Sequence, residues 1–560
     1  VFNFCRTIMD SLDDILVHLG SWHYPIIAFC FLRGFPAAYH AMAPTFIAPT
    51  LDHWCARPPE LANWTTEQWI SDGIPQTHTG KNKFQPRRCE MFEFEYENNL
   101  SISNMTRVSC SHWEYDLGEN ANTLTNQFDL VCDRAWLRAA SQSIYMVGVM
   151  VGNILFSHLS DWYGRKRALA FMVPFPLISG ILTAFSPSFM LYNIGRFVAS
   201  IGIGGIQNTT FTLVMESLSA RHRALGSLVS NSGWTTGLLT LTGIAWFIRD
   251  WSQLQLAISL CLLILVGMWF MLPESPRWLL AIGSYDRAAV TLRKAAKKNK
   301  VAGVDVDSII AIYKEKMKLE RMSRKPTFAA LFQYSCLRRV TIIKSSMAML
   351  NTLLYYNLTY SSILFGSNPY LSFALMAAME YPSRIVSVLF INYVRRRASY
   401  ALFYGFAAIC SLSIIFLPKD PWWLPLCLIL LTKLGGTSAA GVQHVQLSEL
   451  YPTKVRTLAT GFAITVSRFG AILAPFTKEL GVVVGPWAPR AVDGGVCLTL
   501  ACLGLMLPET FKMPLPDNIQ DIKQRGLKKT RTGYLIKKGT VKKPLNNGVY
   551  NEEQQRKTEL

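Results

Sequence analysis

Apolar positions along this chain gather in blocks of about twenty residues, long enough for a helix to cross the ~30 Å hydrocarbon core of a bilayer. The first block runs from Tyr24 to Ile47, and a long polar stretch follows it to Trp136. Five more blocks lie near 139–159, 168–188, 191–215, 224–248 and 254–272. A basic segment of helix-forming composition, from Pro273 to about Arg339, separates these from six further blocks. Those lie near 340–364, 369–392, 399–417, 422–446, 457–480 and 486–507. The pattern predicts an all-α polytopic membrane protein with about twelve spanning helices. The last block is the weakest, because Pro486, Pro489, Arg490 and Asp493 interrupt its entry. The tail from Pro508 is polar, basic and low in aromatic residues, a composition that predicts disorder.

Composition agrees with this reading. Half of the residues are hydrophobic and 16% are charged, and the mean hydropathy is +0.22. The net charge of +20 would point to nucleic acid in a soluble chain. Here the basic clusters Arg165 to Arg167, Arg293 to Lys300, Arg395 to Arg397 and Lys523 to Lys543 fall between or after apolar blocks. Lys and Arg concentrated at membrane ends mark the cytoplasmic side, so the charge sets orientation and both termini are expected there. The divisions that follow are a cytoplasmic N-terminus over 1–23 and a first six-helix bundle over 24–272, which includes a large extracellular loop at 48–136. A cytoplasmic middle loop at 273–339, a second bundle over 340–507 and a cytoplasmic tail over 508–560 complete them. The chain opens on Val1, so either an upstream piece precedes it or Met9 is its start.

Three features recur between the halves, in the same order and at nearly one shift. Asp161-Trp-Tyr-Gly-Arg165 answers Asn392-Tyr-Val-Arg-Arg396 at 231 residues. Glu216 with Arg223 answers Glu449 with Arg456 at 233, and Pro273-Glu-Ser275 answers Pro508-Glu-Thr510 at 235. The repeat implies two parallel six-helix halves. Acidic and basic residues at the helix ends also suit a gate. Asp161 or Glu216 can pair with Arg165, Arg223 or a partner in the facing bundle, and Glu449 and Arg456 supply the same chemistry in the second half. Such pairs can form in one conformation and break in the other. The plainer reading is that these charges only set topology.

The long loop carries Cys55, Cys89, Cys110 and Cys132, and sequons at Asn63, Asn99 and Asn104. Four cysteines in an oxidising space predict two disulfides with three connectivities open. The sequons predict glycan and an extracellular face. Sequons at Asn208 and Asn357 fall inside spans and should be unused.

The chain resembles the organic anion, organic cation and carnitine transporter family of solute carriers, within the major facilitator superfamily. The likeness rests on Asn126-Gln-Phe-Asp-Leu-Val-Cys132-Asp, Gly164-Arg-Lys166, Gly195-Arg-Phe197 with Gly202-Ile-Gly-Gly205, and Ile248-Arg-Asp-Trp251. It continues through Pro273-Glu-Ser-Pro-Arg-Trp-Leu279 and Glu449-Leu-Tyr-Pro-Thr453, and it implies the major facilitator fold. Cation members carry Asp where this chain has Arg468, whereas anion and carnitine members carry Arg. Glu380-Tyr-Pro-Ser-Arg384 resembles the anion branch. Tyr355 and Tyr356 match a tyrosine pair of that branch, and Trp234 occupies an aromatic position there.

The residues support the same site on physical grounds. An arginine at mid-membrane is expensive and usually functional, cannot lose its charge, and offers carboxylates a planar fork. Arg468 and Arg384 on facing helices are therefore expected to hold an organic anion, with Tyr355, Tyr356 and Trp234 as walls. Pairing with Glu380 four residues away could instead neutralise Arg384. Arg33 in the first span is a third candidate cation. Gln207, Asn208, Gln443 and His444 have weaker claims. Gly202-Ile-Gly-Gly205 is not a nucleotide loop, since it follows no strand and sits in a span, where small residues let helices approach. No cofactor, no metal and no enzyme chemistry is expected.

The expected function is plasma-membrane transport of small organic anions by alternating access, with a dicarboxylate in exchange as the resemblance suggests. The alternatives are transport of organic cations or carnitine-like zwitterions, with Glu380 at the cationic end, and a membrane receptor or trafficking protein that does not transport. The terminal Thr558-Glu559-Leu560 suits capture by a PDZ scaffold, which adds a peptide as a strand and holds its carboxylate.

Overall fold

The computed structural model describes residue 16 and residues 19–78, 84–95, 101–118, 121–301, 305–320, 328–364, 368–418, 421–513 and 516. Helices form at all twelve positions marked by the apolar blocks. In the first half they are Tyr24–Ile47, Trp136–Tyr163, Arg165–Ala184, Phe189–Ser217, Arg223–Phe247 and Trp251–Trp269. In the second they are Ser335–Ser361, Pro369–Tyr393, Arg396–Phe416, Trp423–Leu450, Thr453–Val483 and Ala488–Met506. Ten of the twelve are apolar enough to cross a membrane by length and composition. The fifth and seventh have the length, 25 and 27 residues, but carry more polar side chains. Several of those side chains, on Trp234, Thr235 and Tyr355, join the two halves.

Local sequence explains the breaks. The first span is three short helices, Tyr24–Leu32, Gly34–Met42 and Pro44–Ile47. A proline clashes with the carbonyl four residues before it, so Pro36 breaks the run near Leu32 and Pro44 breaks it near His40. A Cβ on Gly34 would lie 2.3 Å from the Gly233 carbonyl carbon, and one on Gly233 would lie 2.1 Å from the Phe31 carbonyl oxygen. Only glycine lets the first and fifth spans approach this closely. The twelfth span starts despite its prolines because Pro486 precedes the helix and Pro489 falls in its first turn, where a missing N–H costs nothing. Its Arg490 bonds to Asp493 at 3.0 Å, and Asp493 also accepts from Asn357.

The long loop is not featureless. Strand β1 (Asp52–Cys55) pairs antiparallel with β6 (Trp113–Asp116), β2 (Gln76–His78) with β3 (Phe84–Pro86), and β4 (Glu90–Glu95) with β5 (Ser101–Ser109). A small core of Cys55, Leu61, Trp69 and Ile74 lies beneath. Trp69 is fully buried and donates to the Cys55 carbonyl at 2.7 Å. Disulfides join Cys55 to Cys110 and Cys89 to Cys132, with Cα separations of 5.3 and 5.7 Å. The second bridge ties the strands to the entry of the second span. Asn63 is exposed, Asn99 lies outside the described residues, and Asn104 sits in β5. Asn208 donates to Ser157, and Asn357 is fully buried.

The segment between the halves folds into helices Pro276–Ala281, Tyr285–Lys298, Val306–Glu320 and Ala330–Gln333. Tyr285–Lys298 packs on Pro276–Ala281 and Val306–Glu320, buries Ala288, Ala289, Leu292 and Ala295 in an apolar cluster continuous with the first half, and leaves its basic side outward. One apolar cluster lies in each half, and a third crosses between them near the loop end. Thr558, Glu559 and Leu560 lie outside the described residues.

Candidate functional site

The hydrogen bonds, ion pairs and ring contacts that join the halves run from mid-helix to the loop end. Arg138 meets Glu479 at 3.7 Å, Ser143 donates to the Ile472 carbonyl at 2.6 Å, and Gln142 donates to the Tyr360 hydroxyl at 2.7 Å. Phe46 packs on Tyr370 and Phe373, and Trp246 on Tyr370. These are the residues of an end that is closed.

At mid-helix the hub is Glu380, 2% exposed. Its Oε1 accepts from the Tyr355 hydroxyl at 2.5 Å and lies 3.6 Å from the Lys433 ammonium. Its Oε2 accepts from Thr235 at 2.7 Å and from Arg384 at 3.3 Å. The Trp234 indole donates to the Tyr355 hydroxyl at 2.7 Å, so the first half reaches the same carboxylate by two routes. The Lys433 nitrogen sits 3.5 Å from the centre of the Tyr355 ring and donates to Thr359 at 2.9 Å. Charge-assisted bonds and a cation over an aromatic face let a carboxylate and a lysine stay together out of water. Two cations share one acid here, so the cluster keeps a net positive charge.

Arg468 stands apart. It lies beside the Tyr356 hydroxyl and within the field of Tyr145. Among the described residues no carboxylate lies within ion-pair distance of it, and its Nε is buried without a hydrogen bond. Of the two arginines expected to hold one anion, Arg468 is on the Tyr356 hydroxyl, and the same tyrosine lies in the field of Glu380, the partner of Arg384. Arg384 is held by Glu380 and Thr235, the neutralising pair that the four-residue spacing allowed. Arg33 is held by the fifth span. It is 7% exposed and donates to Ser230 of the fifth span.

The repeated charges assemble once in each half, at the end away from the loop. Arg165 makes two bonds to Glu216, at 2.9 and 2.8 Å, and one to Asp161 at 3.0 Å. Glu274 accepts from the Arg165 backbone N–H at 2.8 Å. In the second half Arg396 makes two bonds to Glu449, at 3.2 and 2.8 Å, and Glu509 accepts from its N–H at 2.9 Å. All these bonds lie within a half. Glu216 and Glu449 take the arginines of the preceding motif; Arg456 donates to the Tyr451 carbonyl at 3.3 Å, and Arg223 starts the fifth span.

The sequence reading passed over Lys433, Lys344 and Arg196. Each is at most 2% exposed. Arg196 donates to Gln142 at 3.0 Å and lies 4.8 Å from the Tyr145 ring centre. The signal was available: an ionisable residue inside an apolar block is a functional candidate by default.

The sugar (and other) transporter family model matches residues 91–515. The chain is 31% identical to the organic cation transporter protein of Drosophila melanogaster, over 92% of this chain and 95% of that one. It is 31% identical to organic anion transporter 3 of Sus scrofa, over 88% and 89%. It is 30% identical to organic cation/carnitine transporter 2 of Mus musculus, over 93% and 95%. Among solved structures it resembles the inward open xylose transporter XylE of E. coli, with a TM-score of 0.58 and 14% identity over 90% and 98% of the two chains. That likeness gives the fold alone.

Proposed function

We propose that this chain, which belongs to the organic anion, organic cation and carnitine transporters of the solute carrier class, within the sugar (and other) transporters, moves small organic anions. That it is a membrane transporter of the major facilitator type, and not an enzyme, follows from the family. The choice of anions rests chiefly on Arg468, a permanent cation with no acid beside it among the described residues. A guanidinium so placed favours a carboxylate, and an incoming carboxylate supplies the missing charge.

Substrate enters between the halves, meets Arg468, and is walled by Tyr355, Tyr356 and Trp234. Arg384 and Lys433 lend positive potential while Glu380 holds them in place. The bonds of Asp161, Arg165, Glu216, Glu449 and Arg396 break and reform as the halves rock, which is their gating role. A dicarboxylate taken in exchange would load the same cations from the other side. The basic loops put both termini in the cytoplasm of a plasma-membrane protein, and the terminal Thr558-Glu559-Leu560 would then reach a PDZ scaffold. An amidated tail peptide would lose that capture.

A cation or zwitterion reading would need Glu380 to receive an ammonium group. Glu380 already carries Lys433 and Arg384, which weighs against it. Paired uptake of labelled benzoate and labelled tetraethylammonium in expressing cells separates the two. Benzoate accumulation alone is expected; tetraethylammonium accumulation alone would overturn the anion reading.

A further inference from the structure

A second cation site lies below the first. Lys344 of the seventh span is 1% exposed. Its ammonium is held by three neutral acceptors: the Gln443 carbonyl at 3.2 Å, the Gln446 side-chain oxygen at 3.2 Å and the Tyr400 hydroxyl at 3.4 Å. No carboxylate among the described residues lies within ion-pair distance of it. Glu449 is near enough for its field to act on Lys344, but its two oxygens are committed to Arg396 and Thr510. Burying a charge without an opposite one is costly, and helix packing alone would be served as well by methionine.

The same lysine lines a cavity of about 100 Å³. Asn351, Thr352, Gln443 and Ser467 contribute polar groups to its wall, and Ala348 contributes a small one. Such a volume exceeds the space a single water needs, and the cavity is not enclosed, so a carboxylate can enter it with the rest of its chain extending outward. Lys344 and Tyr355 are eleven residues apart on one helix, about 16 Å along its axis, so the lysine is remote from the Glu380 cluster, while Asn351 and Thr352 carry the cavity wall to within about a turn of Tyr355. Arg468 follows Ser467 in sequence, and successive helical residues point about 100° apart. Ser467 lines the cavity while Arg468 lies beside Tyr356.

We propose that Lys344 and this cavity form a second anion site, which holds a small carboxylate on the side of the molecule away from the long loop. It rests on the anion reading above in taking the same class of ligand, but not on Arg468. The site gives the exchanged anion a place to wait while the first site is occupied. The carboxylate takes the Lys344 donor that now reaches the Tyr400 hydroxyl, the longest of the three at 3.4 Å, while Asn351, Thr352, Gln443 and Ser467 supply hydrogen bonds to the second carboxylate oxygen or to a distal polar group.

The test is equilibrium binding of labelled glutarate to the purified full-length protein. Wild type is expected to bind two per chain, Lys344→Gln one, and Lys344→Arg two. Ala348→Leu fills the cavity, leaves the lysine in place, and is expected to bind one. If Lys344→Gln does not yield folded protein, Ala348→Leu decides. Wild-type stoichiometry retained in Lys344→Gln and Ala348→Leu would overturn the second site. A single wild-type site that Arg468→Asp abolishes and Lys344→Gln keeps would overturn it too, and would leave the first site standing. Loss of one site in Lys344→Gln with none lost in Arg468→Asp would uphold this site and sink the assignment of Arg468. No binding at all would overturn both.

Discussion

Glu380 holds the mid-helix cluster together. It answers two cations and receives hydroxyls from both halves. Removing one member of a buried ion pair costs about 3–5 kcal/mol, because the other charge is left without compensation. Glu380→Gln is therefore expected to lower the thermal midpoint of the purified protein by several degrees. An added small carboxylate should restore much of the loss, since it can take the place of the missing acid beside Lys433 and Arg384. A midpoint unchanged from wild type would mean that the carboxylate holds nothing together. At this scale the sequence was half legible. Glu380 and Arg384 were named from their chemistry and four-residue spacing, Tyr355 and Trp234 from the family resemblance, and in the structure the four lie in one hydrogen-bonded cluster. Lys433 and Thr235 were missed: what a helix places opposite Glu380 depends on the rotation and depth of the tenth and fifth spans, and periodicity fixes neither.

Between elements, the informative bonds are those of Arg165 and Arg396. Glu216 makes two charge-assisted bonds, with its side chain 22% exposed. Asp161 makes one, and its side chain is 66% exposed. A charged hydrogen bond sheltered from water is worth about 1.5–3 kcal/mol, whereas an exposed ion pair is worth under about 1 kcal/mol. Glu216→Gln should thus slow turnover several-fold more than Asp161→Asn, with substrate affinity nearly constant in both. Initial rates over a range of substrate concentrations give the comparison, and a change confined to the Michaelis constant would contradict the gating role. The repeat made these clusters legible, down to the match of Glu274 with Glu509. It could not say that Glu216 would receive two bonds from Arg165, which is a matter of helix-end geometry. The loop strands were also hidden, because their short alternating runs are broken by polar turns. The two bridges close loops of 55 and 43 residues, and in the chain-entropy account each closure of that size is worth about 4 kcal/mol. Peptide mapping without reduction should recover Cys55 with Cys110 and Cys89 with Cys132, and should find glycan on Asn63. Free thiols and a bare Asn63 would place the loop in a reducing compartment.

For the whole molecule, apolar blocks and one internal shift were enough to give twelve helices in two halves. The fifth and seventh helices are less apolar than the other ten, and they are the ones whose polar residues meet at the centre. Closure at the loop end was not legible, since one sequence must satisfy both ends of the transport cycle. The account of function turns on Arg468, and the uptake of labelled benzoate by cells expressing Arg468→Asp tests it most directly. Surface protein is counted by biotinylation in the same cells. The charge reversal is expected to abolish uptake with surface protein near the wild-type amount. Uptake at the wild-type rate would contradict the site, and with it the claim that this transporter carries anions through that arginine.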